Sequence, residues 1–104
     1  MSISLAGYEF AGPYTATSAL EERSGVYAIL TPTTANRYRV IDVGESATVK
    51  SRVENHDRKP CWLRHADSGG VRYAVYYTPG QPQASRQLIE QKIRQEYQPP
   101  CGER

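Results

Sequence analysis

Residues 25–43 read GVYAILTPTTANRYRVIDV, and this stretch decides the fold. Two runs rich in β-branched and aromatic residues, 25–30 and 38–43, flank a polar segment that contains proline and asparagine. This pattern predicts an antiparallel hairpin, because such residues favour strands and the polar break favours a turn. Since side chains alternate along a strand, Tyr27 and Asp42 are expected to project toward the same side of the hairpin.

Downstream of the hairpin, the sequence predicts two helices, then one more strand, and then a last helix. Residues 47–57 predict a first helix after Gly44, and Pro60 ends it before a short second helix in CWLRHAD. A third strand is predicted over 71–77 and a last helix over 82–98. These elements predict a small α+β domain in ββααβα order, with a three-stranded, mainly antiparallel sheet and flanking helices.

The segment before the hairpin is less regular. Glycine and proline interrupt the periodicity of residues 1–23, which predict a short strand near 7–10 and a helical turn near 18–22. A chain of 104 residues ordinarily forms one domain. We therefore expect a single domain, residues 1–104, in which residues 1–23 form an extension packed on a core of residues 24–102.

Charge is distributed unevenly along a chain whose net charge is only +2. Hydrophobic residues make up 38% and charged residues 23%, a balance typical of a globular protein. The first 36 residues carry three acids against one arginine, whereas residues 37–72 carry eight basic side chains against five acids. The net charge of the whole chain is well below the positive excess of dedicated nucleic-acid-binding proteins. The local excess still favours the middle of the chain as the part that would face a polyanion.

Cys61 and Cys101 form no CxxC pair and have no paired histidines in zinc spacing, so we interpret them as inert, reduced thiols. The first residues lack the basic region and long apolar run of a signal peptide. No run approaches the ~20 apolar residues of a membrane span. The expectation is a cytoplasmic protein without a membrane partner, with Trp62 as a packing anchor and an oligomeric state that the sequence leaves open.

Several short motifs occur in an order that resembles a known family. GVY at residues 25–27 resembles the GIY triplet of the GIY-YIG nucleases, and DVG at residues 42–44 stands where the YIG triplet is expected. Arg52 lies eight residues after the second triplet, and His56 lies four residues further on. Glu90, within RQLIEQKIRQEYQPP, is similar to the glutamate that holds the metal ion in that family.

The resemblance covers residues 24–102 and implies a metal-dependent DNA endonuclease, a hydrolase that cleaves phosphodiester bonds with Mg²⁺ or Mn²⁺. In this scheme Glu90 holds the cation through a hard oxygen ligand, and Arg52 clamps the phosphate with its planar donors. Tyr27 orients or deprotonates the attacking water. His56 donates to the phosphate or shuttles a proton.

Further basic residues next to the expected cleft would contact DNA along its backbone: Arg58, Lys59 and Arg64. Each residue also has a purely structural interpretation. A basic cluster of this kind is more often a solvated face. Arg52 is also consistent with a weak surface ion pair, and Glu90 with a row of helical salt bridges to the two arginines four residues away on either side.

Two positions depart from the family's pattern. Asp42 stands where a tyrosine is usual, and Gly102 where an asparagine is usual. Asp42 either joins Glu90 as a second carboxylate on the metal ion or marks a lost activity, since an ionised carboxylate repels phosphate. The alternative function is therefore a degenerate, non-catalytic module that binds nucleic acid or another protein. In the catalytic case, DNA shape, DNA ends or a protein partner would supply the specificity.

Overall fold

The computed structural model describes residues 1–34 and 36–102. Within them the chain is an α+β protein with five antiparallel strands in one curled, half-barrel sheet and three α-helices. The strands are β1 (Ser2–Leu5), β2 (Tyr8–Tyr14), β3 (Gly25–Pro32), β4 (Tyr38–Ser46) and β5 (Arg72–Tyr77). The helices are α1 (Val49–Glu54), α2 (Lys59–His65) and α3 (Gln83–Tyr97). The strand order across the sheet is β1-β2-β5-β3-β4.

The prediction of a three-stranded sheet in ββααβα order is wrong, because residues 1–23 add two strands to the sheet. β1 and β2 form a hairpin, and β2 pairs antiparallel with β5. The turn between β1 and β2 consists of Ala6 and Gly7, both at positive φ. An Ala-Gly pair lacks the Asn-Gly or Asp-Gly signature of such turns, so the sequence indicated only a short strand here. Burial of Leu5 and Phe10 stabilises the added strands.

β3, the first strand of the hairpin that decides the fold, is paired on both sides, with β4 on one and β5 on the other. A bulge breaks its register with β4, so that Ile29 pairs with Asp42 but Leu30 pairs with Val40. The extra residue, Ile41, reverses the alternation along β4. Val40 and Val43, three residues apart, consequently both pack on the α3 side of the core, while Ile41 packs on the opposite side.

Helices cover both faces of the sheet. On one face Ile89 and Ile93 of α3 pack against the sheet, and on the other Val49 and Val53 of α1 pack together with Trp62 of α2. The predicted first helix over 47–57 is shorter than expected and ends at Glu54. None of the helices in the described residues is long and apolar enough to cross a membrane.

The chain after α3 folds back onto β4. The N–H of Cys101 donates to the carbonyl of Ile41 at 3.0 Å, and a disulfide joins Cys101 to Cys61 of α2. The interpretation of these cysteines as free, reduced thiols is therefore wrong. Their separation of 40 residues carries no pairing signal, and only the packing of α2 and the C-terminal segment beside β4 brings them together.

Candidate functional site

The phenol of Tyr27 lies at the centre of the candidate site, beneath the surface of the protein. Tyr27 is 2% exposed and pairs across the hairpin with Gly44 of β4. A Cβ at position 44 would overlap the Tyr27 hydroxyl and ring. Glycine in the second triplet therefore provides the space that the Tyr27 ring occupies.

His56 holds the hydroxyl of Tyr27 from the loop after α1. Its Nε2 lies 2.8 Å from the Tyr27 oxygen, and its Nδ1 accepts the backbone N–H of Arg58 at 3.0 Å. Because Nδ1 is an acceptor, the neutral imidazole carries its proton on Nε2 and donates it to Tyr27. The Tyr27 proton is then free to be donated elsewhere, so in this state the phenol is a donor rather than a base.

Burial keeps both members of this pair uncharged. Loss of hydration raises the pKa of Tyr27 to about 12 and lowers the pKa of His56 to about 4. The positive charges of Arg58 and Arg52 lower the pKa of His56 further, whereas they oppose the rise at Tyr27. At neutral pH the site therefore contains a neutral phenol and a neutral imidazole.

The low pKa of His56 predicts that stability decreases as the pH is lowered from about 7.5 to about 5. An unfolded histidine titrates near 6.5 and the folded one near 4, so the unfolded chain binds more protons in this window. The expected loss is about 2 kcal/mol of unfolding free energy, measured by urea denaturation at each pH.

His56→Gln is the comparison for this experiment, because an amide can also donate to Tyr27 and does not titrate. Burial also raises the pKa of Glu90. Protonation of Glu90 in the folded chain increases stability as the pH falls, which opposes the loss caused by His56. The informative quantity is therefore the difference between wild type and His56→Gln. If the two proteins show the same pH dependence, the buried neutral imidazole is refuted.

Asp42, at the edge of the same site, is a fully buried anion whose oxygens are both engaged. Among the described residues it accepts five hydrogen bonds, from two arginines, an indole and its own neighbour's backbone. Arg58 Nε reaches it at 2.8 Å, Arg94 Nη2 at 3.0 Å and Trp62 Nε1 at 2.7 Å. These charge-assisted bonds compensate the carboxylate, so it needs no cation other than the guanidinium groups.

The two departures from the family's pattern are neighbours in space. A Cβ at Gly102 would lie 2.9 Å from Oδ1 of Asp42 and would overlap the guanidinium of Arg94. Gly102 also has φ +93°, a conformation that favours glycine. The arginine thus occupies the space that a side chain at position 102 would need, and it compensates the charge that Asp42 introduces.

Glu90 on α3 is the carboxylate of the site that has a free oxygen. Its Oε2 accepts Arg94 Nε at 3.2 Å, and no hydrogen bond within the described part of the chain reaches Oε1. The side chain is 23% exposed. A monodentate oxygen at a partly open position suits Mg²⁺ or Mn²⁺, so Glu90 fits the role of metal ligand. Asp42 does not fit it as arranged, because a cation would have to displace Arg58 or Arg94.

The remaining basic residues of the predicted site lie closer to the surface. Arg52 is 41% exposed and contacts Asp57 at 3.3 Å. Since α1 ends before His56, Arg52 and His56 do not share a helical face as their spacing suggested. Lys59 donates to the backbone carbonyl of Glu54, and Arg64 is exposed.

Two partners of the site were not foreseen in these roles. Trp62 was interpreted as a packing anchor, yet its indole N–H also donates to Asp42. Arg94 binds Asp42 as well as Glu90. Of the two ion pairs expected for Glu90, the one with Arg86 does not form, because Arg86 binds Glu45 of β4 at 2.8 Å instead. The spacing of four residues along α3 indicates Arg94 as a partner of Glu90, but no sequence signal indicates its bond to Asp42.

A scan against protein-family models, a search of curated proteins and a search of solved structures each found no match to this chain. The function must therefore be inferred from the chemistry of the side chains themselves. The site combines a neutral Tyr27–His56 pair, the compensated carboxylate of Asp42, a partly exposed Glu90 and the exposed guanidinium of Arg52, which contacts Asp57.

Proposed function

We propose that this chain is a metal-dependent endonuclease of the GIY-YIG type that hydrolyses phosphodiester bonds in DNA. The observation that carries the proposal is convergence on one phenol. The charges of Arg52, Arg58, Asp42 and Glu90 all act on the pKa of Tyr27, although these residues come from β4, α1, α3 and the loop before α2. Titratable groups gathered around one buried hydroxyl with a shifted pKa are typical of a functional site.

Each residue has a role that suits its position. A divalent cation held by Glu90 would supply Lewis-acid stabilisation of the phosphate charge and a more acidic water. Arg52, the exposed guanidinium, binds a non-bridging phosphate oxygen. Tyr27 donates its free hydroxyl proton toward the phosphate or the water, and His56 fixes the direction of that hydroxyl through Nε2.

The test is cleavage of plasmid DNA and of branched DNA with Mg²⁺ or Mn²⁺. We expect Glu90→Ala and Arg52→Ala each to lower the cleavage rate by at least about 100-fold, the usual effect of removing one transition-state partner. A chelator is expected to abolish cleavage. Glu96→Ala, an exposed glutamate on the same helix, and Arg37→Ala, an exposed arginine outside the site, are the matched controls. Cleavage that survives both site substitutions would exclude this assignment.

A second candidate function is a non-catalytic module that binds nucleic acid, and the arrangement around Asp42 favours it. Asp42 occupies two guanidinium groups that could otherwise bind phosphate, and both Tyr27 and His56 are buried. This function predicts salt-sensitive binding without cleavage, weakened by Arg52→Ala but not by Arg37→Ala. Electrophoretic mobility shifts at low and physiological salt measure it. An absence of binding at low salt would exclude it, and metal-dependent cleavage would favour the nuclease.

A further inference from the structure

We propose that Cys61, His65 and Cys101 form a zinc site when the disulfide between the two cysteines is reduced. The sulfur atoms and an imidazole nitrogen of His65 lie within 4.8 Å of one another. Cys61 and His65 are four residues apart on α2, so they project from the same side of that helix. Cys101 faces them from the C-terminal segment.

The backbone around these three residues is fixed independently of the disulfide. The N–H of Cys101 binds the carbonyl of Ile41, and its carbonyl accepts Arg94 Nη1 at 3.1 Å. At the end of α2, the carbonyl of His65 accepts Arg39 Nη2 at 2.7 Å. Breaking the sulfur–sulfur bond therefore leaves the ligand-bearing segments in place.

The geometry suits a tetrahedral ion bound by two sulfurs and one nitrogen. With Zn–S bonds of about 2.3 Å, two thiolates on one zinc ion lie about 3.8 Å apart. The Cα atoms of Cys61 and Cys101 are 6.0 Å apart, so rotation of the side chains can provide this separation. The imidazole of His65 makes no hydrogen bond in the described part of the chain, and it is free to bind. The fourth position would hold water.

Reduction of the disulfide takes two electrons, which a thiol or a phosphine reductant supplies. With a phosphine and one water, the disulfide gives two thiols while the phosphine becomes its oxide. Zn²⁺ then replaces both thiol protons, which are released, because the thiolate is the form that binds metal. The same link between α2 and the C-terminal segment would thus exist as a disulfide under oxidising conditions and as a zinc centre under reducing ones.

The test is binding of Zn²⁺ to the full chain, reduced with a phosphine and compared with the oxidised chain by calorimetry. We expect one ion per reduced chain and none in the oxidised chain. When Co²⁺ replaces Zn²⁺, the reduced chain should show tetrahedral d–d bands and thiolate-to-metal charge transfer. A reduced chain that binds no Zn²⁺, or an oxidised chain that binds equally well, would overturn the proposal.

His65→Ala is the variant that separates this site from a simple pair of thiols. It retains both cysteines and removes a side chain without hydrogen bonds among the described residues, so folding of the oxidised chain is preserved. Its reduced form should bind Zn²⁺ at least about 100-fold more weakly, since changes even outside the ligand shell cost 10–100-fold. Leu63→Ala, which truncates an exposed side chain on the same helix, is the control and should bind like wild type. Equal affinities of His65→Ala and wild type would contradict the assignment.

Discussion

Replacing Asp42 with alanine is expected to lower the free energy of unfolding by about 3–5 kcal/mol, the usual cost of removing one partner of a buried ion pair. Asp42 is fully buried and compensates Arg58 and Arg94, while it also accepts the indole N–H of Trp62. Without the carboxylate, two guanidinium groups and an indole lose this shared acceptor together. Urea denaturation at neutral pH measures the loss.

Asp67→Ala is the matched control, because Asp67 also pairs with an arginine, Arg39 at 3.4 Å, but is 48% exposed. Its expected effect is below about 1 kcal/mol. Asp42→Asn tests the charge separately, since it retains most of the shape. Phosphate should stabilise Asp42→Asn more than wild type, because the two arginines are then available to an anion. An Asp42→Ala protein as stable as Asp67→Ala would show that the ion pairs contribute little.

Reducing the disulfide in the presence of a metal chelator is expected to lower the free energy of unfolding by about 4 kcal/mol. The bond closes a loop across a separation of 40 residues, and the chain-entropy estimate for such a loop gives this magnitude. For a domain of this size, that is a large share of the total stability of about 5–15 kcal/mol. Guanidinium denaturation with and without a phosphine reductant measures it.

Cys101→Ser provides the control for the reductant, since this variant has no disulfide to lose. It should have the stability of the reduced wild type, and the phosphine should not change it. In the reduced wild type, added Zn²⁺ should restore part of the loss, whereas in Cys101→Ser it should restore much less. Equal unfolding midpoints for oxidised and reduced wild type would show that the backbone bonds of Cys101 alone hold the C-terminal segment.

The sequence predicted those features of the fold that depend on local pattern. The alternation in residues 25–43 indicated the hairpin, and the pattern over residues 82–98 indicated α3. Tyr27 and His56 were both predicted as site residues, and the structure places them in direct contact. Their contact depends on the loop after α1, which contains His56. The sequence had placed His56 on the same helix as Arg52, and that placement was wrong.

Features that depend on contacts between distant segments could not be predicted. β2 joins the sheet through β5, more than fifty residues away, and no pattern within residues 1–23 indicates that partner. The bulge at Ile41 changes which residues share a face, although the run YRVIDV reads as a regular strand. From the sequence, Asp42 was interpreted either as a second metal ligand or as the mark of a lost activity. Its compensation by Arg94 needs a helix fifty residues later and the absence of a side chain at Gly102.

The return of the C-terminal segment onto β4 has a consequence for self-association. β4 is an edge strand, and edge strands offer unpaired backbone groups to the strands of other molecules. Here the carbonyl of Ile41 accepts the N–H of Cys101, and the carbonyl of Val43 accepts the guanidinium of Arg94. The C-terminal segment and one arginine side chain thereby occupy two carbonyl groups of the edge strand that could otherwise accept a strand of another copy of the chain.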